Sequence, residues 1–182
     1  MITSTHLLIL TLIAFAFGLK ESVKPIRSQH IPHQRIQDII TSVFMHSDKG
    51  NWEGVEAAFA DSVWLDYTSL AGGTPSRLTP GEIAASWSAL LPGFDHTHHQ
   101  LGNMMITIDG NEAHVEAYGT AHHYFEQPSG NSLWTVVGTY TFHLKRDNEY
   151  WKVDTMTFHY KFMTGNTDLP RLAQERLSTQ EN

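Results

Sequence analysis

Apolar and polar residues alternate through residues 95–125, in two runs that meet at Asp109 and Gly110. Successive side chains of a β-strand point to opposite faces of a sheet, so this alternation predicts two half-buried strands. Asp-Gly between two such runs is typical of a two-residue hairpin turn in which both central positions have positive φ. We therefore predict a long β-hairpin, and it carries six of the chain's twelve histidines.

The second strand of this hairpin has one row of small apolar residues that ends in a histidine: Val115, Ala117, Gly119, Ala121 and His123. The opposite row is polar and is predicted to face solvent. Small side chains leave volume beside a sheet, and a polar group at the end of the row can supply chemistry, as in the wall of a ligand cavity. On the first strand, His99 shares a face with Leu101. The alternative is that His122 and His123 only straddle the strand, one exposed and one hydrogen-bonded inside.

Three helices are predicted before the hairpin. From about His33, apolar residues recur at the spacing of an amphipathic helix that ends near Gly50. Asn51 can cap a second, short helix over residues 52–59. A third helix begins at Thr79-Pro80, with Glu82 in the position of a capping box, and runs to about residue 90 or 91.

Three further strands are predicted from alternation, over residues 62–69, 133–145 and 151–162, and a polar helix over residues 168–177 follows them. Helices at the front followed by a meander of long strands predict an α+β domain. In this domain a strongly curved antiparallel sheet wraps around the N-terminal helices and leaves a conical internal pocket between them.

Amino-acid composition and net charge limit the kinds of binding partner and chemistry that the chain can have. The chain has 182 residues, 41% of them apolar, which is enough for one domain with a sizeable core. A net charge of -7, with no cluster of Lys or Arg, argues against binding to nucleic acid or to an anionic membrane surface. The absence of cysteine excludes disulfides, thiolate metal sites and a cysteine nucleophile.

The N-terminal apolar run is too short for a comfortable membrane span and has the length of the core of a signal peptide. We predict a signal peptide over residues 1–19, a linker over residues 20–32, and a secreted or periplasmic protein with no stable membrane insertion after cleavage. The alternative is that this segment forms a buried or swapped N-terminal helix.

Several strings resemble the nuclear-transport-factor-2-like superfamily and, within it, the SnoaL-like proteins that include scytalone dehydratase. They are HSDKGNWEGVEAAF, VWLDYTS, THHQLGN, IDGNEAHVEAYGTAHH and WKVDTMTFHYKFMTGN. The resemblance covers about residues 33–166 and leaves residues 167–182 as a C-terminal helix or tail.

The resemblance implies a set of catalytic residues. Asp48 matches an aspartate that orients an active-site histidine, His99 matches that histidine, and His123 matches a second pocket histidine. Tyr67 matches a tyrosine that polarises a substrate carbonyl. Asp66 is a rival to Asp48 as the pocket carboxylate, but it lies on the opposite strand face from Tyr67, so at most one of these two should point inward.

The sequence also departs from the family pattern. Ser47 stands where a second carbonyl-polarising tyrosine is expected, and Gly138 and Tyr140 stand where serine and asparagine are expected. We nevertheless predict that Gly138 and Tyr140, together with Asn103, contact the substrate.

These residues suggest a cofactor-free lyase (a dehydratase) or isomerase acting on a small hydrophobic carbonyl or polyketide-like compound. A carboxylate holding one imidazole nitrogen lets the other nitrogen act as a base, and Tyr67 could stabilise the oxyanion that forms. His123 could protonate a leaving hydroxyl or return the proton elsewhere.

The sequence is also compatible with two other functions. One is a noncatalytic protein that binds a small molecule in the same pocket. The other is a metal site at the pair His96 and His98, although no carboxylate follows the pair and we expect no metal. A homodimer through the open sheet face is a further expectation, and the aromatic residues of the last strands could serve either it or the core: Trp134, Tyr140, Phe158 and Tyr160.

Overall fold

The computed structural model describes residues 27–128 and 130–180. The described helices are α1 (Arg27–Asp48), α2 (Trp52–Ala58), α3 (Thr68–Ala71), α4 (Pro80–Ser88) and α5 (Leu169–Gln180), with a 3₁₀ turn at Leu91–Gly93. The described strands are β1 (Phe59–Asp66), β2 (Ser76–Leu78), β3 (His96–Asp109), β4 (Glu112–Tyr124), β5 (Leu133–Asp147) and β6 (Tyr150–Gly165). The predicted signal peptide, residues 1–19, lies outside the described residues.

Helix α1 begins earlier than the sequence suggested. The predicted linker ran to residue 32, but residues 27–32 are helical and Pro32 lies inside the helix. Proline lacks an N–H, which removes one hydrogen bond of the ladder without forcing the helix to end. The C-terminal end is as predicted, because α1 stops at Asp48 and Gly50 follows with φ +64°.

The six strands form one sheet in the order β2-β1-β6-β5-β4-β3. Strands β3 to β6 are the predicted antiparallel meander, and β1 pairs with β6 in parallel. The sheet is therefore mixed, and the prediction of an antiparallel sheet was wrong for this pair. A parallel neighbour needs a long connection, here the chain through α3, β2, α4 and the first strands of the meander, and local alternation carries no information about it.

The predicted hairpin is present as β3 and β4, but its turn is shifted by one residue. Asp109 pairs with Glu112, so Gly110 and Asn111 are the central turn residues. Only Gly110 has positive φ, +58°, which is the pattern of a type II′ turn rather than the expected type I′ turn. A bulge at residues 102–105 interrupts the same pair of strands, and Asn103 has φ +51° there.

The core lies between α1 and the inner face of the sheet. Ile36, Ile40 and Val43 of α1 are fully buried, and they face the inward rows of the strands. On β4 these are the predicted small residues that end at His123. The α+β class with N-terminal helices in front of the sheet is thus confirmed.

Two short elements, α3 and β2, were missed, and β1 begins at Phe59 rather than at residue 62. Three of the aromatic residues considered for a dimer surface, Trp134, Tyr140 and Phe158, are buried, so they belong to the core. No helix among the described residues is long and apolar enough to cross a membrane.

Candidate active site

A cavity of about 300 Å³ lies between helices α1, α3 and α4 and the inner face of the sheet. Its size is at the lower end of the range of small-molecule pockets. Most of the lining side chains are apolar, and those with a polar side-chain atom are few: Ser47, Tyr67, Ser86, Trp87, His99, His123, Trp134 and Tyr140. The cavity therefore suits a small, largely hydrophobic ligand that carries a few polar groups.

Asp48, the last residue of α1, holds His99 of β3. One carboxylate oxygen lies 2.6 Å from His99 Nδ1, and the other accepts the backbone N–H of His99 at 2.8 Å. Thr97 Oγ1 also donates to the carboxylate, at 2.8 Å. Burial alone would raise the pKa of Asp48, but the hydrogen bonds from His99 and Thr97 outweigh burial and hold this pKa below its usual value. Asp48 is thus an acceptor only.

The contact with Asp48 sets the tautomer of His99. A carboxylate can only accept, so the proton of the neutral ring lies on Nδ1 and the lone pair on Nε2. The His99 side chain is 13% exposed and lines the cavity. Nε2 is therefore the ring nitrogen available to a ligand, and Asp48 stabilises the ring when it takes up a proton.

His123 lies in a different environment. Its ring is perpendicular to that of His99 at a centroid distance of 5.5 Å, and it packs on Trp134 at 4.5 Å and on Phe94 at 4.9 Å. The residue is 4% exposed. Burial, helped by the nearby His99, lowers the pKa of His123 to about 3. His123 is therefore a neutral imidazole at physiological pH.

Two tyrosines face the same cavity. The ring centroids of Tyr67 and Tyr140 are 6.3 Å apart. Burial raises the pKa of Tyr140 to about 12, and it raises the pKa of Tyr67 well above the usual value. Both phenols stay protonated, so they can serve as hydrogen-bond donors.

The two candidate carboxylates, Asp48 and Asp66, have different surroundings in the structure. Asp66 accepts hydrogen bonds from the Thr68 hydroxyl, at 2.7 Å, and from the Thr68 backbone N–H, at 2.9 Å. These bonds lower the pKa of Asp66. Asp66 thus closes the turn into α3 and does not line the cavity, whereas Asp48 holds the cavity histidine.

Two of the predicted substrate-binding residues are not at the cavity. Asn103 lies exposed on the bulge of β3, because the bulge turns this residue away from the inward row. Gly138 is buried, but a Cβ atom there would lie 2.4 Å from the ring of Phe158, so this ring occupies the space beside it. Tyr140 is at the cavity, as predicted.

Sequence reasoning missed the contribution of Trp134 and of helix α4. Trp134 belongs to the same row of β5 as Tyr140, but the sequence left open whether this row faces the core or a dimer surface. Ser86 and Trp87 of α4 also line the cavity. The packing direction of α4 follows from tertiary structure, and no local signal pointed to it.

The histidine pair on β3 stacks on neighbouring rings. His96 lies 6.2 Å from Tyr124, and His98 lies 6.3 Å from His122, between ring centroids. Across residues 27–128 and 130–180, no group of three or more His, Cys, Asp or Glu side chains is arranged to hold a metal ion.

Solved structures with the same fold include several with an activity in their names. The Kfla4162 protein from Kribbella flavida matches with a TM-score of 0.72 and 20% identity, over 80% of this chain and 99% of that chain. A putative scytalone dehydratase from Novosphingobium aromaticivorans gives a TM-score of 0.64 and 16% identity, over 77% and 91%. Hexachlorocyclohexane dehydrochlorinase LinA type 3 from Novosphingobium barchaimii gives a TM-score of 0.63 and 13% identity, over 78% of this chain and 94% of that chain.

No curated protein matches the chain by sequence. At these identities the structural matches show a shared fold, the nuclear-transport-factor-2-like fold. A family model described as SnoaL-like domain matches residues 33–157, which is more than half of the chain. The chain therefore belongs to the family of SnoaL-like domains.

Proposed function

We propose that this protein is a cofactor-free lyase or isomerase that removes a proton next to a carbonyl group of a small hydrophobic compound. The observation that carries the proposal is the Asp48–His99 pair, with its 2.6 Å contact, at the wall of an apolar cavity. Two distant structural neighbours have names of enzymes that act by elimination, a dehydratase and a dehydrochlorinase, which supports the class of reaction.

The first step is proton abstraction. Nε2 of His99 takes the proton from the carbon beside the carbonyl, and Asp48 stabilises the charged ring that results. Negative charge then develops on the carbonyl oxygen. Tyr67 and Tyr140 are both protonated donors at the cavity, and a hydrogen bond from one of them stabilises this oxygen.

The second step decides the product. In a dehydration, the bond to the leaving hydroxyl breaks, and the leaving oxygen takes up the abstracted proton and departs as water. In an isomerisation the proton returns to another carbon. The pKa of about 3 means that His123 begins the cycle neutral, so it acts by hydrogen bonding or as a relay and not as a resting acid.

The test compares two histidine–aspartate pairs with the same Nδ1–carboxylate distance. His143 and Asp154 also lie 2.6 Å apart, but they lie on the outer face of the sheet, away from the cavity. Wild type, His99→Gln and His143→Gln are assayed on a panel of cyclic β-hydroxy ketones, by loss of water and by deuterium uptake from D₂O.

We expect His99→Gln to lower kcat by about 10²–10⁴-fold, since that is the usual contribution of a general base, and His143→Gln to leave kcat unchanged. Folding of both variants is checked by circular dichroism. Equal turnover by the two variants would show that the Asp48–His99 pair is not the base.

A noncatalytic binding protein is the second candidate. Ser47 donates its hydroxyl to the Val43 carbonyl at 2.7 Å, and the ring of Phe158 fills the space beside Gly138, so these positions offer the cavity little polar chemistry. Panel compounds that bind to the wild type and are recovered unchanged, without deuterium, would favour this function over the enzyme.

A further inference from the structure

The carboxylate of Asp48 accepts hydrogen bonds from a short stretch of β3, residues 97–99. Its Oδ1 atom accepts the hydroxyl of Thr97 at 2.8 Å and lies 2.6 Å from Nδ1 of His99. Its Oδ2 atom accepts the backbone N–H of His99 at 2.8 Å. Two of these donors, the Thr97 hydroxyl and the His99 backbone N–H, do not belong to the imidazole ring, and they bind one carboxylate oxygen each.

These two donors fix the orientation of the Asp48 carboxylate. A hydrogen bond weakens steeply when its angle departs from linearity, so a carboxylate bound through both oxygens cannot turn about its Cβ–Cγ bond without losing both bonds. With the backbone N–H of His99 alone, the group can pivot about this single bond. The hydroxyl of Thr97 is therefore the contact that keeps Oδ1 directed at the imidazole ring, independently of the ring itself.

Two features of its surroundings favour turning of the Asp48 side chain away from His99. Asp48 is the last residue of α1, and the carbonyl groups at the C-terminal end of a helix carry partial negative charge that repels a carboxylate. Asp48 also lines a second, polar pocket of about 280 Å³, whose exposed residues include Lys49 and Asp95, so water can reach the carboxylate. A second anchor opposes both effects.

Thr97 itself does not touch a ligand in the apolar cavity. It shares the inward row of β3 with His99, but it lines the second pocket and not the cavity. A change at Thr97 therefore acts on the cavity through Asp48 and His99, and not through a lost contact with the bound molecule.

We propose that Thr97 is a positioning residue, whose hydroxyl holds Asp48 against Nδ1 of His99 and so keeps the lone pair of the ring on Nε2. Without this hydroxyl the ring proton can lie on Nε2 instead, and an Nε2–H group cannot take a proton from a ligand. The inference about the ring needs no reaction, whereas its effect on turnover rests on the proposed function.

The test removes the hydroxyl without changing the shape of the side chain. Thr97→Val replaces the hydroxyl with a methyl group, Thr97→Ser keeps the hydroxyl, and Thr97→Ala is a second variant without it. Thr135→Val is the matched control, because Oγ1 of Thr135 lies 3.0 Å from Nδ1 of a different histidine, His122, and neither residue lines the cavity. Circular dichroism checks the folding of each variant.

The first measurement is the pair of ring ¹⁵N chemical shifts of His99 in alkaline solution, where the ring is neutral, with the signals assigned by His99→Gln. In the wild type, Nδ1 should have the shift of a protonated nitrogen and Nε2 that of an unprotonated one. We expect both shifts to move to intermediate values in Thr97→Val and Thr97→Ala, and to stay in place in Thr97→Ser and Thr135→Val. Unchanged shifts in the two variants without the hydroxyl, or an equal change in Thr97→Ser, contradict the proposal.

The second measurement is turnover of a panel compound that the wild type converts. We expect Thr97→Val and Thr97→Ala to lower kcat about tenfold, the effect of losing one hydrogen bond to a charged group, with KM unchanged because Thr97 does not line the cavity. Thr97→Ser should recover most of kcat, and Thr135→Val should match the wild type. A raised KM with an unchanged kcat in Thr97→Val would show that the hydroxyl does not act through the base.

The proposed function can fail separately from this inference. A wild type that turns over no panel compound would refute the enzyme, and the ring ¹⁵N shifts would still decide whether Thr97 holds the Asp48–His99 pair. Conversely, unchanged ring shifts in Thr97→Val, together with loss of turnover in His99→Gln, would refute the role of Thr97 and leave His99 as the base.

Discussion

His99 and His123 face each other across 5.5 Å, yet their surroundings differ. Asp48 is in contact with His99 and stabilises a positive charge on its ring. His123 has two aromatic rings around it and is near His99, and burial together with repulsion keeps it neutral. The cavity thus combines one imidazole suited to accept a proton with one suited to hydrogen bonding.

The low pKa of His123 makes folding stability depend on pH. Between the ordinary pKa of 6.5 and the folded value of about 3, the unfolded chain binds a proton at His123 that the folded chain does not. The contribution of His123 to the free energy of unfolding is therefore fully present above its ordinary pKa. It is lost as the pH falls, with a slope of at most about 1.4 kcal/mol per pH unit. The lowered pKa of Asp48 acts in the same direction, but at more acidic pH.

We predict that the free energy of unfolding of the wild type falls by about 2 kcal/mol between about pH 7.5 and about pH 5 through His123. His123→Leu should show a decrease smaller by this amount, and the variant of an exposed histidine, His159→Gln, should behave like the wild type. Urea titrations at the two pH values measure this. Parallel decreases in wild type and His123→Leu would contradict it.

Helix α4 is the element that carries Ser86 and Trp87 to the cavity, and its start is specified by a capping box. Glu82 accepts the Thr79 backbone N–H at 2.8 Å, and the Thr79 hydroxyl accepts the Glu82 backbone N–H at 3.3 Å. Pro80 stands in the first turn. Such a start orients the whole helix, because each bond satisfies a backbone group that would otherwise have no partner.

Thr79→Ala removes the side chain of this cap, so we expect the free energy of unfolding to fall by about 1 kcal/mol. The exposed Ser62 of β1 supplies the control: Ser62→Ala should stay within about 0.5 kcal/mol of the wild type. Both values come from urea denaturation monitored by tryptophan fluorescence. An unchanged midpoint for Thr79→Ala would show that the capping box does not stabilise the fold.

At the scale of the whole molecule, helix α5 packs against the 3₁₀ turn Leu91–Gly93, whose Leu91 lines the cavity. Leu169 and Ala173 are fully buried, and a Cβ atom at Gly93 would lie 2.3 Å from the Ala173 carbonyl oxygen. Arg176 adds an ion pair with Asp95 at 2.6 Å. Helix α5 thus packs against the 3₁₀ turn that precedes Phe94, the residue that covers His123 and Trp134.

Because α5 is docked through buried residues, Leu169→Ala should lower the free energy of unfolding by about 2–5 kcal/mol, as for other large-to-small changes in a core. Met105 is 65% exposed, and Met105→Ala should have little effect. Chemical denaturation of the two variants provides the comparison. A small loss for Leu169→Ala would mean that α5 is a dispensable tail.

Much of the fold and part of the site follow from local patterns. Alternation set the inward row of β4, and so the inward direction of His123, because a strand has a period of two residues. Thr79, Pro80 and Glu82 marked the start of α4, since capping chemistry acts within one helical turn. The family resemblance, and not the spacing of residues, supplied the pairing of Asp48 with His99.

Other features depend on residues far apart in the chain, and only the tertiary structure decided them. Strand β1 pairs in parallel with β6 across most of the domain, the bulge of β3 turns Asn103 outward, and Phe158 fills the space beside Gly138. The lack of a hydrogen-bond partner at Nδ1 of His123 and Nε1 of Trp134 is another such feature. Whether a buried atom has a partner depends on every element packed around it, whereas the direction of its side chain depends only on its own strand.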